Sequence, residues 1–369
     1  MIKKIIMYLS ILITTVMLFN ISIPRESAEE LSIPSGLGFD VVRVSDNQIL
    51  YDVTLCSYVF ESEMKTTSVI HSGLSSSIGQ TRQDRQLQID KKFLVGLEKV
   101  DIIGEEQARY GITNVIDILF NNPSVNDTAQ VAVCEGDAKS ILKYNVQGYS
   151  SSADFIEGMI KSAKNYNFFS DNYRILDIFV RIDSEGRNVT LPYIKLGEQG
   201  LEVAGLAIFK KDKLMDILDM QDTKLLNILS KDAGQGVISI QNSSRSYVDY
   251  YASVKRKVIC TRVDGKYNFL IKLSFKGEII NNELDKSISE KDKAQKELEN
   301  QFAIKIKESL DEFISKLQEK YKVDSLELGR VAAGKFGRGT GIDWDKAISE
   351  ADIDVEVTVK IEKQGRGDY

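Results

Sequence analysis

Residues 202–230, EVAGLAIFKKDKLMDILDMQDTKLLNILS, change period twice within a short distance and set the reading of the sequence on either side. Val203 to Phe209 is nearly continuous apolar sequence, the pattern of a strand covered on both faces. Lys210-Lys211-Asp212-Lys213 is too charged to continue it, so the chain turns back there. Leu214 to Leu218 pairs as a short second strand, and Asp222 or Thr223 caps a helix that carries Leu225, Leu226 and Leu229 inward. Strand, turn, strand and helix make a packed nucleus, not a catalytic loop.

The chain around this unit has 369 residues, of which 43% are apolar and 28% charged, with only four prolines. At roughly 100 to 200 residues per domain this predicts two or three ordered domains without a long Pro-rich linker. The formal charge of −6 includes no basic block, which argues against nucleic acid as a partner. Cys56, Cys134 and Cys260 stand singly in apolar, strand-like runs and read as buried reduced thiols. His71 is the only histidine, so a histidine-rich zinc site is excluded. A hydrolase would need a nucleophile with a base, or two convergent carboxylates, and one histidine leaves little room for it.

The N-terminus is an export signal or membrane anchor over residues 1–23. Lys3 and Lys4 precede a run from Ile5 to Ile23 close to the ~20 residues that span a bilayer. The lysines place its start in the cytoplasm. Ala28 lies where cleavage could follow, but Glu26 stands two positions before it where a small residue is wanted. An uncleaved anchor, with the body outside the membrane, is the preferred reading.

After a polar spacer, Gly36-Leu37-Gly38-Phe39-Asp40 opens the first strand, and Ile49 to Phe60 follows a turn at Asp46-Asn47 as the second arm of a hairpin. Ser72 to Asp90 reads as a polar connection. From Leu97 to Leu142 the order is βαβα: strand 100–103, a helix after Gly104, strand 131–133 and a helix starting at Ala138. Ser151 to Tyr166 is an amphipathic helix with Phe155, Ile156, Met159, Ile160 and Ala163 on one stripe and Asp154 three residues after Ser151. A second helix covers Tyr173 to Ile182. Strands at 237–241, 247–251, 255–263 and 268–277 follow, expected to be antiparallel with one face on a core. Asp285 to Tyr321 is the longest helical candidate, with Leu298, Phe302, Ile306, Leu310, Phe313, Ile314, Leu317 and Tyr321 on one stripe. At ~1.5 Å per residue it reaches ~50 Å, and it is expected to bend or break near Asn300.

The chain is therefore read as α+β: an N-terminal mixed α/β domain at 36–198, a middle β-rich domain at 199–284 whose antiparallel sheet the long helix covers, and a C-terminal helix-plus-strand domain at 285–369. Adjacent Glu105 and Glu106 point about 100° apart on a helix and cannot converge on one bond, so they complement the helix dipole. Ser75-Ser76-Ser77 has no base beside it. Tyr247, Tyr250 and Tyr251 lack the interleaved basic residues of a stacking platform. Gly329 to Lys335 fits G-x-x-x-x-G-K, but Phe336 replaces the Ser or Thr that would hold Mg²⁺, and a helix, not a strand, precedes it. Gly334, Gly337, Gly339 and Gly341 read as a mobile loop. No catalytic, cofactor-binding or metal-ligating residue is assigned, and no cofactor is expected.

Four segments carry a resemblance. Gly205-Leu206-Ala207-Ile208-Phe209-Lys210 with Asp212-Lys213-Leu214 resembles the G-L-A-(V/I)-F-K-x-D-K-L stretch of the C-subunit (GerAC-like) proteins of spore germinant receptors. Gly36 to Asp40 is similar to that family's G-I-G-I-D strand. Gly104-Glu105-Glu106, Ala108 and Gly111-Ile112 are similar to its I-G-E-x-x-A-x-x-G-I. Asp324, Gly329, Trp344 and the last strand, 353–361, resemble its closing pattern. The resemblance implies a non-enzymatic C subunit that acts with integral-membrane receptor subunits in spore germination, attached to the outer face of the spore inner membrane. Family members carry a lipid-bearing cysteine after the signal, whereas no cysteine here precedes Cys56. The alternative function is a membrane-tethered solute-binding protein that captures a nutrient directly.

Overall fold

Strand alternation decides how the N-terminal half is layered, because the two faces of its first long strand are built from different residues. The structure, a computed structural model, describes residues 2–20, 30–45, 48–60, 66–170, 172–231, 233–283 and 292–364. Helix α1 (Ile2–Asn20) is followed by β1 (Leu31–Ser32), β2 (Pro34–Ser45), β3 (Gln48–Phe60), β4 (Thr66–Ser75), α2 (Thr81–Gln86), β5 (Lys92–Phe93), β6 (Val100–Gly104), α3 (Glu105–Tyr110), α4 (Thr113–Phe120), β7 (Gln130–Cys134), α5 (Ala138–Lys143), α6 (Ser152–Ala163) and α7 (Ile175–Asp183). Then come β8 (Thr190–Gly197), β9 (Gly200–Lys210), β10 (Lys213–Asp219), α8 (Met220–Ser230), β11 (Ala233–Ser243), β12 (Ser246–Val263), β13 (Lys266–Asn282), α9 (Asp292–Lys316), α10 (Leu328–Phe336), α11 (Trp344–Ser349) and β14 (Asp352–Gln364).

The first sheet has eight strands in the order β10-β9-β8-β7-β6-β2-β3-β4. Its centre, β2-β6-β7-β8, is parallel and its flanks are antiparallel. Strands β6 and β7 are buried along their whole length, as expected where helices cover both faces. On β2, Gly36 and Gly38 admit helices to close range. A Cβ on Gly36 would lie 2.9 Å from Cβ of Ala153 in α6, and one on Gly38 3.1 Å from Cβ of Ala138 in α5. On the same face, Asp40 accepts hydrogen bonds from the Ala138 and Lys139 amides, at 2.8 and 3.2 Å, and so closes the N-terminus of α5 from β2, two strands away from β7. Burial pushes this carboxyl up to about 6, with the two amides opposing. Gly104 completes the unit, since a Cβ there would sit 2.0 Å from Oδ1 of Asp40. Leu37, Phe39 and Val53 line the other face, beneath α2 and α4.

The strand-turn-strand-helix unit forms as read, with β9 and β10 pairing from Lys210↔Lys213 to Gly205↔Asp219. Leu206 to Phe209 are fully buried. The helix start is corrected: β10 runs to Asp219, which stays extended and accepts from the Asp222 amide at 2.8 Å, so Asp219 is the cap and Asp222 and Thr223 lie in the first turn. Pairing of β8 with β9 carries the first sheet across the position 198/199, so residues 200–219 hydrogen-bond into it.

The second sheet, β11-β12-β13-β14, is antiparallel across its first three strands. The expected antiparallel strands thus form, and β14, whose direction the sequence left open, joins parallel to β13 because the chain returns through α9 to α11 as a crossover. Phe269, Ile271, Leu273 and Phe275 face inward, and α9 lays Leu298, Phe302, Ile306, Leu310, Phe313 and Ile314 on the sheet. α9 runs unbroken through Asn300, and Leu317–Tyr321 continues it as a π-turn that ends at Lys322 in the left-handed region. Residues 285–291 of the expected helix lie outside the described residues, as does the turn at 46–47. The polar stretch 72–90 contains the end of edge strand β4 and helix α2. The expected export signal or anchor covers residues 1–23. Its last residues, 21–23, are outside the description, and among the described residues no helix is long and apolar enough to cross a membrane.

Candidate functional site

Four stretches distant in sequence meet between the two sheets. They are the α7–β8 connection, the β9–β10 turn, the end of α8 and the segment from Val323 to Trp344. Glu327 is at the centre. Its carboxylate takes Arg181 at 3.3 Å on one oxygen, and Arg187 at 3.1 Å and Arg330 at 3.3 Å on the other. The side chains of Arg181 and Glu327 are 6% and 8% exposed, so this ion cluster is almost out of water. Burial opposes ionisation of Glu327, but Lys231, Arg187, Arg181 and Arg330 outweigh it and hold the carboxyl below its ordinary value. Lys231, at the end of α8, is buried and drops to about 8, through burial first and then the field of Arg181. Glu327 itself sits at φ 56°, a left-handed conformation that the cluster fixes.

Around this cluster the backbones touch. A Cβ on Gly186 would lie 2.3 Å from the Gly329 carbonyl carbon, and the Arg330 amide donates to the Gly186 carbonyl at 3.0 Å. Asp324 accepts from the Leu328 and Gly329 amides at 3.1 and 2.6 Å. Asp345 accepts from the Asp324 amide at 2.9 Å and from Nδ2 of Asn188 at 2.7 Å, while Oδ1 of Asn188 accepts from the Lys211 amide at 3.1 Å. Glu185 accepts from Nε1 of Trp344 and from the Gly339 amide, both at 2.8 Å. Arg256 of β12 donates to the Leu326 carbonyl at 2.9 Å. The arrangement binds strand ends, turn and helix ends into one rigid knot. It presents no nucleophile beside a base.

Asp324 gives the knot a pH signature. Complete burial raises its carboxyl to about 7 despite the two amides. A folded-state value above the unfolded one means that the folded protein holds an extra proton. The associated stability is complete below about pH 4 and is lost as pH rises through about 7. Asp324→Asn is expected to remove up to ~1.4 kcal/mol per pH unit of slope between pH 4 and 7, measured by urea unfolding across that range beside the parent.

The residues singled out from sequence lie elsewhere. Cys56, Cys134 and Cys260 are buried free thiols. His71 pairs with Leu55 in β4, and partial burial lowers its pKa. Glu105 pairs with Arg109 at 2.6 Å and accepts from the Tyr193 hydroxyl at 2.8 Å, while Glu106 is exposed. Ser75 and Ser76 donate to Oε1 of Gln80 at 2.9 and 3.1 Å. Tyr250 packs on Phe302 with ring centres 5.1 Å apart and donates to the Lys360 carbonyl, while Tyr251 leans on Tyr166. Gly329 to Lys335 lies inside α10, which leaves no loop to cradle a phosphate, and Lys335 donates to the Cys260 carbonyl at 2.7 Å. The expected mobile glycine loop shrinks accordingly: Gly334 is helical, and Gly339 is tied to Glu185. Among the described residues, no group of acids, histidines or cysteines is placed to hold a metal ion.

Sequence reasoning missed the Glu327 cluster because Arg181 and Arg187 reach Glu327 from 146 and 140 residues away. The signal was present only in part: Asp324, Gly329 and Trp344, noted for their resemblance, are the hydrogen-bonding and close-packing residues around it.

Known proteins share this architecture. Residues 24–196 match the family described as spore germination protein N-terminal domain, and residues 204–365 the family described as spore germination B3/GerAC like, C-terminal. The putative spore germination protein YfkR of Bacillus subtilis (strain 168) is 30% identical over 236 residues, which are 59% of this chain and 58% of that protein. The chain thus aligns with less than two thirds of that relative's length. The spore germination protein GerQC of Bacillus cereus is 21% identical over 345 residues, 89% of this chain and 95% of that protein. The crystal structure of the GerBC protein shares the fold, with a TM-score of 0.53 at 17% identity over 91% of this chain and 100% of that one. With its N-terminal and C-terminal parts each matched in order, the chain belongs to the GerAC-like family of spore germination proteins.

Proposed function

We propose that this chain is the C subunit of a nutrient germinant receptor, acting without enzymatic activity of its own beside membrane-embedded subunits in spore germination. The observation that carries this reading is the pair of family matches in one chain, on either side of position 200. The knot around Glu327 is compatible with a role in assembly, because it ties the ends of elements from both sheets together.

Attachment to the membrane falls to α1. From Ile5 to Met17 its large apolar side chains are exposed, and Lys3 and Lys4 precede them. Apolar area of this kind is stable in lipid and unfavourable in water. The reading puts the body of the chain on the outer face of the spore inner membrane, the family's expected setting, held there by α1. Spores that lack the chain are expected to stop responding to a nutrient that triggers the parent. Full-length protein restores the response and stays with membranes at high salt, whereas a chain starting at residue 30 folds, is released, and fails to restore it. Normal responses of the deletion strain to amino acids, sugars and nucleosides alike would overturn the reading.

A further inference from the structure

The first sheet leaves a cavity of about 220 Å³ between its α4-facing side and the α2 region. Leu37, Phe39 and Val53 form the floor, with Phe93 and Ile118 among the walls. Its charged lining is one-sided. Arg82 and Arg85 reach it, and no carboxylate lines it. Arg85 is only 8% exposed, and its Nη1 donates to the Val53 carbonyl at 3.1 Å and to the Thr81 hydroxyl at 2.8 Å. The guanidinium of Arg82 lies 5.5 Å from the Phe93 ring centre, over the same opening. Neither arginine forms an ion pair with a described carboxylate; Asp52 and Asp84 act on Arg85 only through their field, behind burial and Arg82, and for the buried guanidinium of Arg85 the lack of a paired acid is unusual.

We infer that this cavity is a binding site for a small apolar monocarboxylate, whose carboxylate meets Arg82 and the free edge of Arg85 while its hydrocarbon body lies on Leu37, Phe39 and Val53. An apolar cavity of about 150 Å³ holds benzene, so this one takes a phenyl or branched body with a short acid chain. Guanidinium geometry suits a carboxylate, and burial strengthens the contact. A zwitterion is disfavoured, because its ammonium would find two cations and no acid. The inference goes beyond the receptor-subunit reading and stands or falls separately from it.

The test is isothermal titration of the full-length chain in lipid nanodiscs with 4-phenylbutyrate, 4-phenylbutanol and 4-phenylbutylamine. The expected result is saturable one-site binding of the acid, with the alcohol and amine at least tenfold weaker. Ile118→Trp, which fills the cavity, and Arg82→Gln, at an exposed position, each weaken the acid at least tenfold without lowering Tm. Arg85→Gln abolishes binding; since Arg85 also supports Val53 and Thr81, the other two variants decide the matter if that one misfolds. Absence of saturable binding by the acid, equal binding of acid and alcohol, or an unchanged Kd in folded Ile118→Trp would each overturn the site.

Discussion

Glu327→Ala is expected to lower the unfolding free energy by about 3–5 kcal/mol, the effect of removing one partner from a buried ion cluster. The substitution leaves Arg181, 5% exposed, and Lys231, 9% exposed, without their acid. Arg187 and Arg330 lose the same carboxylate but are more exposed and recover part of the difference in water. Glu327→Gln keeps the shape and one hydrogen-bond acceptor and should fall between parent and alanine. Urea unfolding at pH 7 measures all three. A loss under about 1 kcal/mol for alanine would mean that water already solvates the cluster, and the rigid-knot account would fail.

Phe302→Ala is expected to lose about 3–5 kcal/mol at the other interface, where α9 covers the second sheet. Phe302 is fully buried, and its ring is 5.1 Å from that of Tyr250 on β12. Truncation leaves a cavity that α9 cannot close, because Leu298 and Ile306 on either side already hold the helix to the sheet. Loss of the same order in both this variant and Glu327→Ala, with a single unfolding transition in each, would follow if the two sheets unfold together. The contiguous core that joins them leads to that expectation. A change under about 1 kcal/mol for Phe302→Ala would contradict the packing of α9 described above.

What the sequence made legible was local or periodic. Val203 to Phe209 followed by four charged residues could only be a covered strand and a turn, and the stripe from Leu298 to Tyr321 could only be one face of a helix. The glycines of Gly36 to Asp40 matched a family pattern, but their cause, the approach of α5 and α6 and the capping of α5 by Asp40, needed the third dimension. β4 was not legible, because Thr66 to Ser75 is an edge strand whose half-polar composition reads as a loop. The direction of β14 was not legible either, since the alternation of Ile353, Val355, Val357 and Val359 is the same whichever way the strand runs. The Glu327 knot and the cavity by Arg85 are assembled from segments far apart, and no spacing rule brings Arg181 to Glu327.

The central claim, that this chain is one subunit of a membrane receptor, is tested most directly by isolating the intact, tagged protein from spore membranes under mild detergent and identifying by mass spectrometry what comes with it. The account predicts two polytopic membrane proteins in constant proportion to the chain, retained through high-salt washing, with Met1 or its immediate neighbours still present at the N-terminus of the isolated chain. Recovery of the chain alone in a form beginning near residues 27–31, with no membrane protein in constant proportion, would contradict it.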